Sequence, residues 1–264
     1  MSKLKETKKN IVIVGYPKSG TTWLSRLVAE LVWCPLKGDW GFDHLQQPYM
    51  EGLERDSEYQ CYKSHHTYDT IQNVSEKQIH KIIYVIRDPR DIVISGMYFF
   101  DFVPQKLQRF IKGLPSGASL YNILKEPLYI MWGRKTQKKQ MISAVLYGAT
   151  SPSKWLKTSW NNHYVGYKNT KVIFIKYEDL IAHTHKEISR IMDYLDIKIS
   201  EHHLKKSIDK HSFKKQQKLA NTSNNEALKK NIRKGSYGYW RKEFTEKEIS
   251  LFGNEITNDM YDFR

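Results

Sequence analysis

Four clusters of residues in this chain carry chemistry in their types and spacing. In Tyr16-Pro17-Lys18-Ser19-Gly20-Thr21-Thr22-Trp23 an ammonium, three hydroxyls and a glycine fall together, a donor set for a phosphate or a group shaped like one. Arg87 and Ser95 stand eight residues apart, about two helical turns, so both can face one ligand group. Arginine suits bidentate recognition of phosphate. In Arg233-Lys234-Gly235 adjacent cations precede a glycine that admits close backbone approach, as a terminal phosphate needs. In Lys63-Ser64-His65-His66 two imidazoles follow a lysine, and imidazole is the usual group for proton removal near neutral pH. The chain has ten histidines, so a lone one is by default structural or solvated.

The elements that must hold these residues follow from the apolar pattern. Ile11-Val12-Ile13-Val14-Gly15 reads as a buried strand, and Leu24, Leu27, Val28, Leu31 and Val32 have the spacing of an amphipathic helix. A strand, a tight polar loop and a helix N-terminus make an anion site, because successive amides point outward and the helix dipole favours negative charge. The loop is not quite the ATPase loop. Gly15 to Gly20 fits GxxxxG, but Thr21-Thr22 follows where Lys-Ser/Thr is expected, and the lysine sits inside the loop as Lys18. A second strand is predicted over Ile82–Ile86 and a helix onward through Phe100, with Asp88 as N-cap and Pro89 as first helical residue. A third strand is predicted over 171–176, then a helix over roughly 184–195 with Ile188, Ile191, Met192 and Leu195 on one face. Strands alternating with helices give an α/β fold: a single domain, a central parallel sheet flanked by helices, and a P-loop-like loop. Residues 101–160, broken by prolines and glycines, read as short helices and loops. Residues 214–235 read as a flexible segment, and 1–9 as a mobile tail before a domain spanning 10–264.

Composition narrows the class. The chain's 264 residues suit one large α/β domain. A net charge of +15, from 43 Lys+Arg against 28 Asp+Glu, favours anionic partners such as nucleotides. No zinc-finger or RNP-like motif supports sequence-specific nucleic-acid binding. Cys34 and Cys61 provide neither a disulfide framework nor metal-ligand spacing, and they read as reduced thiols of a cytoplasmic protein. Ile11–Val14 is too short for a signal-peptide core, and no run approaches transmembrane length.

The segment 16–23 resembles the 5′-phosphosulfate-binding loop of sulfotransferases that use PAPS (3′-phosphoadenosine 5′-phosphosulfate). The resemblance implies that Lys18, Ser19, Gly20, Thr21 and Thr22 hold the phosphosulfate and that Trp23 stacks on the adenine. Arg87-Asp88-Pro89-Arg90-Asp91-Ile92-Val93-Ile94-Ser95 is similar to the family's 3′-phosphate segment. Arg233-Lys234-Gly235-Ser236-Tyr237-Gly238-Tyr239-Trp240 resembles its Arg-Lys-Gly-x-x-Gly-Asp-Trp signature, with Tyr239 in place of Asp. Arg87, Ser95, Arg233, Lys234 and Gly235 are thereby expected around that phosphate. Lys63-Ser64-His65 matches a strand that ends in Lys-Thr/Ser-His, which implies His65, rather than His66, as the base. Lys63 would then neutralise the sulfuryl oxygens and Lys18 the leaving phosphate oxygen. Tyr177 and Phe213 match residues near the adenine, although His211 replaces a threonine before Phe213. Ser159–Tyr167 looks like a structural helix of the family.

The implied reaction is sulfuryl transfer from PAPS to a hydroxyl or amine of a small-molecule acceptor, releasing PAP, without a metal and without a membrane. Its soluble, cytosolic-type branch is the one resembled. Two rivals are a P-loop kinase, which should have Gly-Lys-Ser/Thr, and a non-catalytic binder of PAP or polyanions, which need not keep a base. Residues 36–58 and 101–150 are expected to set acceptor specificity. Trp40, Phe42, Tyr49, Phe99, Phe102, Tyr129 and Trp132 are candidates for an apolar wall, with core packing the default for such residues. Oligomeric state stays open.

Overall fold

The run Ile11–Val14 forms most of β1 (Lys9–Val14), the central strand of a five-stranded parallel sheet. The sheet belongs to a computed structural model that describes residues 8–42, 45–47, 49–100, 110–111, 113–116, 119–120, 123–124, 127, 133–150, 153–222, 229 and 235–253. Its other strands are β2 (Leu36–Asp39), β3 (Tyr59–Ser64), β4 (Ile79–Ile86) and β5 (Ile173–Lys176), in the order β2-β3-β1-β4-β5. The helices in chain order are α1 (Thr21–Leu31), α2 (Tyr68–Ile71), α3 (Pro89–Phe99), α4 (Arg134–Tyr147), α5 (Trp160–Lys168), α6 (Tyr177–Ala182), α7 (Thr184–Tyr194), α8 (Glu201–Lys210), α9 (Phe213–Thr222), α10 (Trp240–Glu243) and α11 (Glu246–Ser250). The tail expected over 1–9 lies outside the described residues up to residue 7, and Lys9 already pairs with Tyr59.

Period-two alternation in β1 builds both faces of the core. Val12 and Val14 join Ile92, Val93 and Met97 of α3, Met141 and Val145 of α4, and Tyr164 and Tyr167 of α5. Ile11 and Ile13 join Leu24, Leu27 and Val28 of α1 with Ile188, Ile191 and Met192 of α7. Each such Leu or Ile, fully buried, contributes roughly 1.5–3 kcal/mol. Helices thus cover both faces, as an all-parallel sheet requires.

The structure departs from the sequence reading in three places. Within 101–160, expected as short helices and loops, α4 runs for 14 residues. Its polar first half masks the pattern, while Gln137, Met141, Ala144 and Val145 are buried at helical spacing. Within 214–235, expected as flexible, α9 is a helix whose Gln216 and Ala220 are buried four residues apart. The edge strand β2 is too short and too polar to stand out in the sequence. Among the described residues no helix is long and apolar enough to cross a membrane.

Candidate functional site

Each of the five strands delivers residues to one place at its C-terminal end: Asp39 from β2, Lys18 after β1, Lys63 and His65 from β3, Arg87 after β4 and Tyr177 after β5. Ligands of open α/β sheets bind at this end. The residues line a cavity of about 440 Å³.

The loop after β1 is shaped by two left-handed residues, Lys18 at φ 74° and Gly20 at φ 99°. Gly20 has a second constraint, because a Cβ there would lie 2.7 Å from the Tyr177 ring. The first amides to bond back into α1 are those of Trp23 and Leu24, both 3.1 Å from the Gly20 carbonyl. The amides of Gly20, Thr21 and Thr22 therefore precede the first intrahelical bond. Ser19 is fully buried in the loop, and its hydroxyl has no hydrogen-bond partner among the described residues. These features fit an anion. The Lys18 ammonium lies 3.5 Å from the Phe99 ring centroid. Trp23 lines the cavity while its indole N–H donates to the His211 carbonyl at 2.7 Å.

The end of β3 is tied to the same loop. Gly15 N–H donates to the Ser64 carbonyl at 3.3 Å, and His65 Nδ1 donates to the Gly15 carbonyl at 2.7 Å. A carbonyl only accepts, so Nδ1 carries the proton and Nε2 keeps its lone pair. Burial first, then the Lys63 charge, holds His65 down at about 3, so the ring is neutral. Behind it, His163 of α5 donates from Nε2 to the His65 carbonyl at 3.2 Å and accepts the Tyr84 hydroxyl at Nδ1, 2.9 Å away. Tyr167 of the same helix donates to the His66 carbonyl at 2.9 Å. The helix expected to be structural thus fixes the His65-His66 turn. His66 turns away, stacked on Phe42 at 6.0 Å with Trp155 edge-on. Lys63 is buried, 3.3 Å from Asp39 Oδ1, and burial lowers its pKa against the pull of Asp39.

The opposite wall starts at α3. Asp88 caps it, accepting from the Arg90 amide at 2.9 Å, with Pro89 in the first turn as expected. Such a cap stabilises by about 1 kcal/mol. Arg87 is buried and donates to the Lys18 carbonyl at 2.9 Å and the Ser236 carbonyl at 3.1 Å. Its guanidinium lies 4.2 Å from the Tyr177 ring centroid, and its Nε has no partner among the described residues. Ser95, Phe213 and Gly235 line the cavity with it. Gly235 packs so closely that a Cβ would collide with the Phe213 ring. Arg233 and Lys234 lie outside the described residues. Of the aromatic candidates, Tyr49 and Phe99 line the cavity, whereas Trp40 is buried with its indole N–H on the Ile71 carbonyl at 3.0 Å. Phe102, Tyr129 and Trp132 lie outside the described residues.

Sequence reasoning missed Asp39, Asp91 and Trp155. Asp91 is buried and accepts from the amides of Gly238 and Trp240, which binds α3 to the chain leading into α10. Asp39 and Trp155 belong to no local pattern that marks them, and Asp91 stands inside the Arg87–Ser95 segment without a role that the segment assigns to it.

The family model for the sulfotransferase domain matches residues 8–264. Sulfotransferase 1E1 of Bos taurus is 27% identical over 264 residues, which cover 89% of this chain and 78% of that protein. Sulfotransferase 2A1 of Homo sapiens is 24% identical over 280 residues, covering 96% and 85%. The crystal structure of mouse sulfotransferase SULT7A1 complexed with PAP matches with a TM-score of 0.62 at 22% identity, over 96% of this chain and 85% of that one. The structure of retinol dehydratase with androsterone and PAP matches at 0.56 and 18%, over 96% and 81%. These structures share the fold.

Proposed function

The chain belongs to the sulfotransferase family, and from that premise we propose that it transfers a sulfuryl group to the hydroxyl or amine of a small molecule. One observation carries the assignment of chemistry. His65, neutral and with Nε2 unprotonated, lines the same cavity as Lys18, Lys63 and the free end of α1. PAPS, when bound, supplies the sulfuryl group and leaves as PAP.

The amides of Gly20, Thr21 and Thr22, with Ser19, hold the phosphosulfate end. Arg87, Ser95, Arg233, Lys234 and Gly235 hold the 3′-phosphate. Trp23, Tyr177 and Phe213 enclose the adenine. His65 takes the acceptor's proton at Nε2. A base held near 3 cannot deprotonate an alcohol beforehand, so the proton moves as the new bond to sulfur forms. Lys18 and Lys63 offset negative charge around the transferring group, a contribution of about 10²–10³ in rate for one preformed donor. No metal enters this scheme. A cytoplasmic location suits the two buried free thiols.

The test is PAP formation from PAPS across a panel of phenols, alcohols and amines, with calorimetry of PAP beside 5′-AMP. Acceptor-dependent PAP release and much tighter binding of PAP are expected. Equal affinity for PAP and 5′-AMP, or no acceptor-dependent release, overturns the reading.

A further inference from the structure

Arg26 stands three residues after Trp23 on α1, so the two share a helix face, and both line the cavity. Gln216, which is buried, stands three residues after Phe213 on α9 and lines the cavity with it. The two helices are joined at this point. Arg26 Nη1 donates to Gln216 Oε1 at 2.5 Å, and Gln216 Nε2 donates to the Lys210 carbonyl at the end of α8 at 3.1 Å. Arg26 Nε donates to Glu51 Oε1 at 2.6 Å, and Nη2 donates to the same oxygen. A polar pair thus shares its helix faces with two aromatic rings.

These bonds decide what Arg26 can still hold. A guanidinium has five N–H groups, and three are committed to Glu51 and Gln216. Two remain for a ligand. Glu51 already compensates the charge of Arg26, so the remaining N–H groups suit a neutral acceptor better than a second anion. The anion-binding features lie elsewhere, at the free end of α1 and at the buried Arg87. Arg26 is five residues beyond Thr21, about 7.5 Å along the helix axis from those amides. That is the scale of a nucleoside between its 5′-phosphate and its base.

Resting on the sulfotransferase reading above, we propose that Arg26 recognises the base of the cofactor, donating an N–H to an unprotonated ring nitrogen of the adenine while Trp23 and Phe213 cover its faces. The exocyclic amine cannot take that place, because it and the guanidinium both donate. Gln216 and Glu51 are positioning residues. They hold three N–H groups of the rigid fork, which fixes the direction of the other two, as a lysine with its freely rotating ammonium would not allow.

The experiment is calorimetry of PAP beside its 1-deaza, 3-deaza and 7-deaza analogues, each of which replaces one ring nitrogen with C–H. One analogue should bind roughly 10-fold more weakly than PAP, the loss of one hydrogen bond from a charged donor. Arg26→Met should bind PAP about as weakly as the unaltered protein binds that analogue, and should no longer distinguish the two. Arg26→Lys keeps a cation opposite Glu51 and carries the same comparison should Arg26→Met not fold. If all three analogues match PAP, or if the discrimination persists in the variants, Arg26 only ties α1 to α9 and the proposal fails. Tight PAP binding that is indifferent to the three substitutions defeats this proposal alone, whereas PAP that binds no better than 5′-AMP defeats the sulfotransferase reading.

Discussion

His65 and His66 are adjacent in sequence and opposite in environment. The first lines the cavity with Nδ1 anchored on the Gly15 carbonyl; the second lies between Phe42 and Trp155. His65→Ala should therefore lower kcat by about 10²–10⁴ while PAP affinity stays nearly constant. His66→Ala should keep most turnover and lower the melting temperature instead. Single-turnover rates with calorimetry of PAP check both, and loss of turnover confined to His66→Ala would move the base by one position. At this scale much of the site was legible. Lys18, Trp23, Lys63, Arg87 and Tyr177 stand in motifs whose spacing is set by strand ends and helix starts, and all line one cavity. Asp39 was not legible, because its pairing with Lys63 is created by the β2–β3 register and no local pattern announces it. The ring tautomer of His65 was equally hidden, since it depends on a carbonyl 50 positions away.

At the scale of elements, the cavity wall is held by one buried carboxylate. Asp91 sits in the first turn of α3 and accepts amides from the chain entering α10, at 3.2 Å for Trp240. The family signature that includes Gly235 is thereby pinned to the element that carries Ser95. Asp91→Ala leaves two amides without their acceptor, at a cost of about 1–3 kcal/mol each if they stay buried. The expected outcome is a lower melting temperature and PAP binding weakened by about 10-fold, with kcat at saturating PAPS reduced much less. Calorimetry and steady-state kinetics separate the two, and unchanged PAP affinity in a folded Asp91→Ala protein would remove Asp91 from the cofactor wall. Elements with clean apolar periodicity, such as β1 and α1, were readable from the sequence. The boundaries of α4 and α9 were not, because runs such as Arg134–Gln140 are polar on most positions and owe their helical state to a few buried side chains.

Over the whole molecule, alternating strands and helices implied a parallel sheet, but nothing local specified that β1 lies between β3 and β4. That placement sets His163 between Tyr84 and the His65 turn, and the fold resists protonation of three imidazoles, His65 at the cavity wall and the buried His163 and His211. Burial is the first cause in each: His65 is held down at about 3, and His163 and His211 at about 4. His163 lies between Tyr84 and the His65 carbonyl, and both ring nitrogens of His211 are buried without partners among the described residues. An unfolded histidine takes up a proton near 6.5, whereas these do not until pH 4 or lower. Between those values the unfolded state binds more protons, so stability is complete above 6.5 and falls as pH drops, by up to about 1.4 kcal/mol per pH unit for each ring. Glu178 acts in the opposite sense, since burial raises its carboxyl and the folded state then holds a proton earlier. Burial also lowers the rings of His66 and His80, so the balance against the raised Glu178 carboxyl is a net loss of stability toward acid. Thermal unfolding followed from pH 7.5 to 4.5, as the range to be scanned in roughly half-unit steps, should show a steadily falling melting temperature below about 6.5. His211→Gln, which removes a titrating ring without an existing hydrogen bond, should flatten that slope. A melting temperature constant across this range would mean that the three rings admit water or protons more freely than their burial implies.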